Sequence, residues 1–145
     1  MDIWDKVKRS SIMSSVKQKD TKQEILVRKY LFSKGFRFRK NDKRLPGSPD
    51  IVLPKYKVAI FIHGCFWHGH DCRAGHLPSS NIELWESKIN RNKERDKSKE
   101  ELLGQLKWTV IIIWQCELKN RSVANDRLVL LETEIIKSLP FLNKE

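Results

Sequence analysis

Acidic side chains are scarce in this chain: 18 Asp and Glu stand against 29 Lys and Arg, a formal net charge of +11. No apolar run approaches the roughly 20 residues needed to cross a bilayer, so no membrane partner is expected. The opening Met1-Asp2-Ile3-Trp4-Asp5 lacks the basic-then-apolar order of a signal peptide, and a cytoplasmic protein is expected. Cysteine is sparse too, and an odd count of 3 argues against a disulfide framework. There are no internal repeats, low-complexity segments or Gly/Ser-rich linkers, so residues 1–145 are expected to form a single domain. The hydrophobic fraction of 39% allows a packed core and disfavours a wholly disordered chain.

The basic excess is uneven. Residues 1–50 hold 14 basic and 6 acidic side chains, residues 51–100 hold 9 and 6, and the remainder hold 6 and 6. Such a bias points to a polyanionic partner. No basic amphipathic stretch with a bulky apolar face stands out, which favours nucleic acid over a lipid surface.

Residues 1–19 carry few apolar positions and are expected to form a short helix or an arm contacting DNA. Thr21 and Glu24 have capping-box spacing before a stripe of Leu26, Val27, Tyr30 and Leu31, predicting a helix over 21–34 that stops at Gly35. Phe36-Arg37-Phe38-Arg39 alternates like a half-buried strand, and Leu45-Pro46-Gly47-Ser48-Pro49 forces a loop. Strands are expected at 51–53 and 57–62, forming an antiparallel hairpin, with residues 63–80 as a loop. Ser80 is expected to cap a helix to about 106, with Ile82 and Ile89 toward the core. The run from Trp108 to Trp114 reads as a buried strand, and Ser122 opens a last helix with Leu128, Leu131, Ile135 and Leu139 inward. The order α, β, β, β, α, β, α predicts an α/β fold, α+β-like, in which helices flank a mixed central sheet.

All four histidines and two cysteines fall between His63 and His76. Three thiolates and one imidazole would complete a tetrahedral structural zinc site, with Cys116 arriving from just past the last strand. Spacing alone leaves the imidazole open among His70, His68 and His76, and Cys116 can also be read as an ordinary buried thiol.

Pro49-Asp50 enters the hairpin. A turn centred on Tyr56 would set residue 50 opposite residue 62, because (50 + 62)/2 = 56. The Asp50 carboxylate, the Ile62 carbonyl and the His63 ring would then meet at one sheet end, offering hard oxygen ligands suited to Mg²⁺. His68 on the neighbouring loop is placed to move a proton. Asp50 can equally be a turn residue after proline, and Glu24 either a helix cap or a catalytic group. Phe66 and Trp67 lie inside the Cys/His loop, while Trp85, Lys88 and Asn92 follow at i, i+3 and i+7 on the next helix. A ring, a cation and an amide on one face suit stacking on bases and reading their edges; any single ring can instead fill the core.

Taken together, Asp20-Thr21 with Glu24, Leu45 to Asp50, His63 to Cys72, Trp85-x2-Lys88-x3-Asn92-x2-Arg95-Asp96 and Trp114-Gln115-Cys116 closely resemble the very short patch repair (Vsr) DNA mismatch endonucleases. The resemblance runs in order from about residue 9 to 120. It implies a fold related to the restriction endonucleases, with structural zinc, and a strand-nicking hydrolase that cuts DNA 5′ of the thymine in a T·G mismatch left by deaminated 5-methylcytosine, using Mg²⁺. It further implies a monomer, a cytoplasmic prokaryotic setting on nucleoid DNA, and a functional link to a DNA cytosine methyltransferase and repair machinery. By that resemblance Asp50 and the Ile62 carbonyl hold Mg²⁺, and His63 and His68 handle phosphate and proton. Cys65, His70, Cys72 and Cys116 hold zinc, which selects His70. Phe66, Trp67 and Trp85 wedge into the duplex from the major groove, Met13 enters the minor groove, and Lys88 and Asn92 read the mispaired bases.

The chain departs from related restriction nucleases, which usually carry an acidic-x-Lys pair on the second catalytic strand; residues 59–63 offer no lysine, so the chemistry must lean on histidine. Some members have Thr where Ile62 stands, leaving only a backbone carbonyl here. Two rivals stay open: a restriction-like endonuclease cutting matched DNA, and a non-catalytic zinc-stabilised DNA-binding module.

Overall fold

In a computed structural model that describes residues 21–139, the elements run α1 (Lys22–Ser33), β1 (Arg39–Lys40), β2 (Ile51–Leu53), β3 (Val58–His63), α2 (Ile82–Gln105), β4 (Thr109–Trp114) and α3 (Arg121–Lys137). Short 3₁₀ turns at Arg73–Gly75 and Gln115–Leu118 punctuate the connections. The N-terminal arm expected over 1–19, with Met13, lies outside the described residues. The sheet is ordered β1-β2-β3-β4, antiparallel except for the parallel β3/β4 pair, which α2 connects. The mixed sheet flanked by helices is therefore as expected. No helix among the described residues is long and apolar enough to cross a membrane.

Strand alternation gives the sheet two unequal faces. On one, Val58 and Ile60 of β3 and Ile111 and Ile113 of β4 join Val27 and Leu31 of α1 and Ala124, Leu128, Leu131 and Ile135 of α3. On the other, Ala59 and Phe61 meet only Leu103 of α2, with Leu45, Trp108, Val110 and Ile112 at the margin. The large core thus lies away from α2, and α2 buries only Ile89 and Leu103 along its 24 residues.

Thr21 and Glu24 form the expected capping box: the Glu24 N–H donates to Thr21 Oγ1 at 3.2 Å, and the Thr21 N–H to Glu24 Oε2 at 3.4 Å. Leu26 is exposed rather than inward, because the buried stripe is Glu24, Val27 and Leu31 and Leu26 sits a helical step off it. The strand expected at 36–39 shrinks to Arg39–Lys40. Gly35 turns the chain at φ +86°, and Phe36 leaves the ladder to pack edge-on against Tyr56 at 5.6 Å. Ile82 is exposed while Ile89 is buried.

Two helix starts also differ. Asn81, in the left-handed region at φ 55°, precedes α2 without a side-chain cap, so Ser80 does not serve. Asn120, not Ser122, caps α3 by accepting the Val123 N–H at 2.9 Å. Asn120→Ala is expected to cost about 1 kcal/mol in urea unfolding, whereas Ser122→Ala should stay within about 0.5 kcal/mol. Equal losses would reassign the cap.

Candidate active site and metal centre

The hairpin register differs from expectation by one residue. Ile51 pairs with Ile60 and Leu53 with Val58, leaving Pro54 to Lys57 as a four-residue turn whose last member, Lys57, is left-handed at φ 53°. Lys57 therefore drops out of the ladder, and Asp50 is not opposite residue 62. Its carboxylate still reaches across, with Oδ2 accepting the Ile62 N–H at 2.7 Å. Continuing the same register sets Pro49 opposite Ile62. The N–H and C=O of a strand residue point toward the same neighbour, and proline has no N–H to give, so Pro49 leaves the Ile62 carbonyl without a ladder donor on the side of Asp50.

Asp50 lines a cleft of about 820 Å³ together with Glu24, Ile62, His63, His68 and Asp96. Burial pushes the Asp50 carboxyl up to about 7; the Ile62 N–H, Arg28 and Lys99 oppose the rise, and the nearby Glu24 adds to it. A carboxyl so placed is ionised most readily beside a cation. Glu24 is itself buried, fills its capping role and faces this cleft, with Arg28 Nη1 3.7 Å from its Oε1.

The two imidazoles form a unit. His63 and His68 stack with centroids 3.8 Å apart and planes 4° from parallel, and His68 Nδ1 lies 2.6 Å from Asp96 Oδ2. His63 is buried, and its Nδ1 has no hydrogen-bond partner among the described residues. Burial, then the neighbouring His68, hold its pKa down at about 4, so the ring is neutral at ordinary pH. Donor atoms of His63, His68 and Asp96 lie within 4.8 Å of one another. Parallel rings, however, do not aim their in-plane lone pairs at one point, so this arrangement suits proton and phosphate handling better than a shared metal.

The second cluster lies in the loop after β3. Ligand atoms of Cys65, His70, Cys72 and Cys116 fall within 4.8 Å of one another, and none of the cysteines is in a disulfide. Of the three candidate imidazoles, His70 joins the thiols, while His68 belongs to the stacked pair. The His70 N–H donates to the Cys65 carbonyl at 2.9 Å, and its Nδ1 is 3.5 Å from Cys116 Sγ. A Cβ on Gly75 would sit 2.0 Å from the His70 carbonyl oxygen and 3.1 Å from that of Cys65, so the loop closes only around glycine. Burial, then the thiols of Cys65 and Cys72, push the Cys116 thiol up to about 12. Burial works against ionisation of Cys72, yet hydrogen bonding with His70 and from the Gly75 and Ala74 backbone brings it down to about 7. Three thiolates at this spacing repel one another unless a cation lies among them. The donor set fits a tetrahedral metal ion, for which sulfurs bonded at about 2.3 Å lie about 3.8 Å apart.

Phe66 and Trp67 line the cleft, and Trp85 packs against both. Phe66, Trp67 and Trp85 pack edge to face with centroids 5.1 to 6.0 Å apart, and Lys88 Nζ sits 5.6 Å from both indoles. Asn92 is braced: its Nδ2 donates to the Trp67 carbonyl at 2.8 Å and its Oδ1 accepts from Arg95 Nη2 at 2.9 Å. Asp96 and Lys99 in the cleft went unassigned at the sequence level. Their signal is the stripe 92, 96, 99 along α2, half-buried polar positions where a packing helix would place apolar residues.

The family described as DNA mismatch endonuclease Vsr matches residues 1–74. A relative from Neisseria meningitidis serogroup A, named type II nicking enzyme V.NmeAIP, is 53% identical over 134 residues, covering 92% of this chain and 96% of its own. The type II nicking enzyme V.XorIIP of Xanthomonas oryzae is 46% identical, over 83% of this chain and 89% of its own. The DNA mismatch endonuclease Vsr of Escherichia coli is 40% identical, over 86% of this chain and 80% of its own. With matches of this extent, and a cleft that joins a carboxylate to paired imidazoles beside a Cys/His knuckle, the chain belongs to the Vsr family of DNA mismatch endonucleases.

Proposed function

We propose that this protein is a Mg²⁺-dependent endonuclease that nicks one DNA strand on the 5′ side of the thymine in a T·G mismatch, from a monomeric, restriction-endonuclease-like fold pinned by zinc. The supporting observation is the convergence in one cleft of the Asp50 carboxylate, the ladder-free Ile62 carbonyl and the His63/His68 stack, with the Phe66 and Trp67 rings on the same lining. The relatives' names speak of mismatch endonuclease and nicking activity; on the proposed reading the mismatch arises from deaminated 5-methylcytosine, which would link the activity to a cytosine methyltransferase and to repair.

Asp50 and the Ile62 carbonyl would hold Mg²⁺, which supplies Lewis-acid stabilisation of charge on the phosphate and a more acidic water. With Asp96 accepting the His68 Nδ1–H, the opposite nitrogen of His68 is free to take a proton from the attacking water. Neutral His63 offers the phosphate a hydrogen bond without a charge of its own. Attack forms one P–O bond and breaks the bond to the 3′ oxygen, which takes up a proton from solvent water, leaving a 5′ phosphate and a 3′ hydroxyl. Phe66, Trp67 and Trp85 wedge into the duplex, and Lys88 reads beside them. A mismatch is already poorly stacked, which lowers the cost of the wedge. Asn92 must share its braced amide with Trp67 and Arg95, so it offers a base only its second N–H and remaining lone pair.

Asp50→Asn should lower nicking of a T·G duplex by about 10³-fold, the several kcal/mol a bound metal contributes, while mismatch affinity holds. Normal nicking in Mg²⁺ would remove Asp50 from the metal site, and equal cutting of the matched duplex by the unsubstituted protein would favour the restriction-like reading.

Because burial holds the Asp50 carboxyl at about 7, protons and metal compete for it. The metal-binding carboxylate is gained as pH rises, so nicking at limiting Mg²⁺ should climb through that region, and more Mg²⁺ should move the climb to lower pH. A rate unchanged between about pH 6 and pH 8 at limiting Mg²⁺ would contradict this.

For the zinc knuckle, Cys116→Ala should release the ion. Gly75→Ala, which changes no ligand, should weaken retention against a chelator by about tenfold or more. Gly104→Ala, where a Cβ meets nothing within 4 Å, is the control and should retain metal fully. Full zinc content in Cys116→Ala by elemental analysis would count against the site.

A further inference from the structure

His63 ends β3 and Trp114 ends β4, and the parallel register sets them side by side. The Trp114 ring meets His63 edge-on, 5.1 Å between centroids at 75°, and stands 6.5 Å from His68 at 72°. Its face stacks on His70 at 4.1 Å and 16°. A single indole therefore stacks on the imidazole of the Cys/His cluster and also meets His63 of the stacked histidine pair.

Three features separate this ring from ordinary core filling. Trp114 belongs to neither apolar cluster of the sheet, and its aromatic partners among the described residues are all imidazoles. Among the described residues no ring contact joins it to Phe66, Trp67 or Trp85, which pack on one another, so it stands apart from that aromatic group. Its backbone is anchored, with the Trp114 N–H donating to Glu117 Oε1 at 2.8 Å and Glu117 Oε2 lying 3.2 Å from Arg127 of α3. A flat, rigid group with a fixed base, set between two clusters, transmits the position of one to the other. His63 depends on such support, since its buried Nδ1 has no partner among the described residues to fix the ring's rotation.

We propose that Trp114 is the positioning residue that couples the Cys/His knuckle to the reacting imidazoles: a filled knuckle fixes His70, His70 fixes the indole face, and the indole edge fixes His63 under His68. The inference rests on the reading of His63 and His68 as the groups that meet the phosphate and the water. It makes the knuckle a determinant of turnover as well as of folding.

The test compares Trp114→Leu and Trp114→Phe, both prepared with zinc. Trp114→Leu should keep its zinc by elemental analysis and bind a T·G duplex within about threefold of the parent, yet lose about 10- to 100-fold in kcat with KM little changed, as expected when reacting groups are misplaced by an ångström or so. Trp114→Phe keeps a flat ring and should recover kcat to within about threefold. In ¹⁵N NMR of the imidazoles, chelating zinc from the parent should move the His63 and His68 resonances, and in Trp114→Leu the shift should be largely lost. Unchanged kcat in Trp114→Leu would overturn the coupling, as would loss of zinc from both variants, which would make the ring part of the knuckle's construction. If Asp50→Asn nicks normally the catalytic reading itself fails; if Asp50→Asn is inactive while Trp114→Leu turns over normally, only the coupling fails.

Discussion

The parallel pairing of β3 with β4 is the constraint from which the site hangs. Six residue pairs, from Val58 with Thr109 to His63 with Trp114, fix two strand ends side by side. The chain leaving β3 supplies Cys65, His68, His70 and Cys72, and the chain leaving β4 supplies Cys116 within two residues. Slipping this register by one residue would exchange the faces of every side chain on β3. His63 would turn away from the stack, and Ile60 would leave the main core. The pairing thus serves the apolar core and the site together.

That core is lopsided for a functional reason. α1 and α3 cover one face of the sheet with nearly all the buried aliphatic side chains, while α2 covers the other with little more than Ile89 and Leu103. The half-buried α2 positions between them include Asn92, Asp96 and Lys99, which brace the loop carrying Trp67, bond to His68 and line the cleft. A helix so poor in apolar contacts gains little stability from its own packing. It is held where it is needed by polar contacts to the very loop that it positions.

The sequence makes some of this legible and hides the rest, for identifiable reasons. The capping box at Thr21 and Glu24, the β2–β3 hairpin and the run ending at Trp114 are local patterns, and each appears where periodicity and spacing place it. The Cys/His clustering is also local, so a metal-ligating loop can be read before any fold is known. The hairpin register cannot be read in the same way, because it turns on the left-handed Lys57, which carries no glycine or asparagine to announce it. Nor can Asn81 be separated from Ser80 as the start of α2 by residue preference. Asp96 was visible within a motif without a role, since its partner His68 is 28 residues away and only tertiary packing brings the two together.

A common electrostatic logic joins these parts. Burial pushes Asp50 up to about 7 and Cys116 up to about 12, each a cost to the folded chain that a cation relieves. On the proposed reading the two sites would take different cations because their donors differ: a carboxylate and a carbonyl suit a hard ion that keeps its waters, whereas thiolates and an imidazole suit a softer, tetrahedral one. At the scale of the whole chain, the +8 excess of the first 50 residues is a third imbalance of the same kind, relieved by the phosphates of a duplex. On that reading histidine suits the place where these would meet, because a neutral ring such as His63 can be buried there without adding a charge of its own, and a lysine could not.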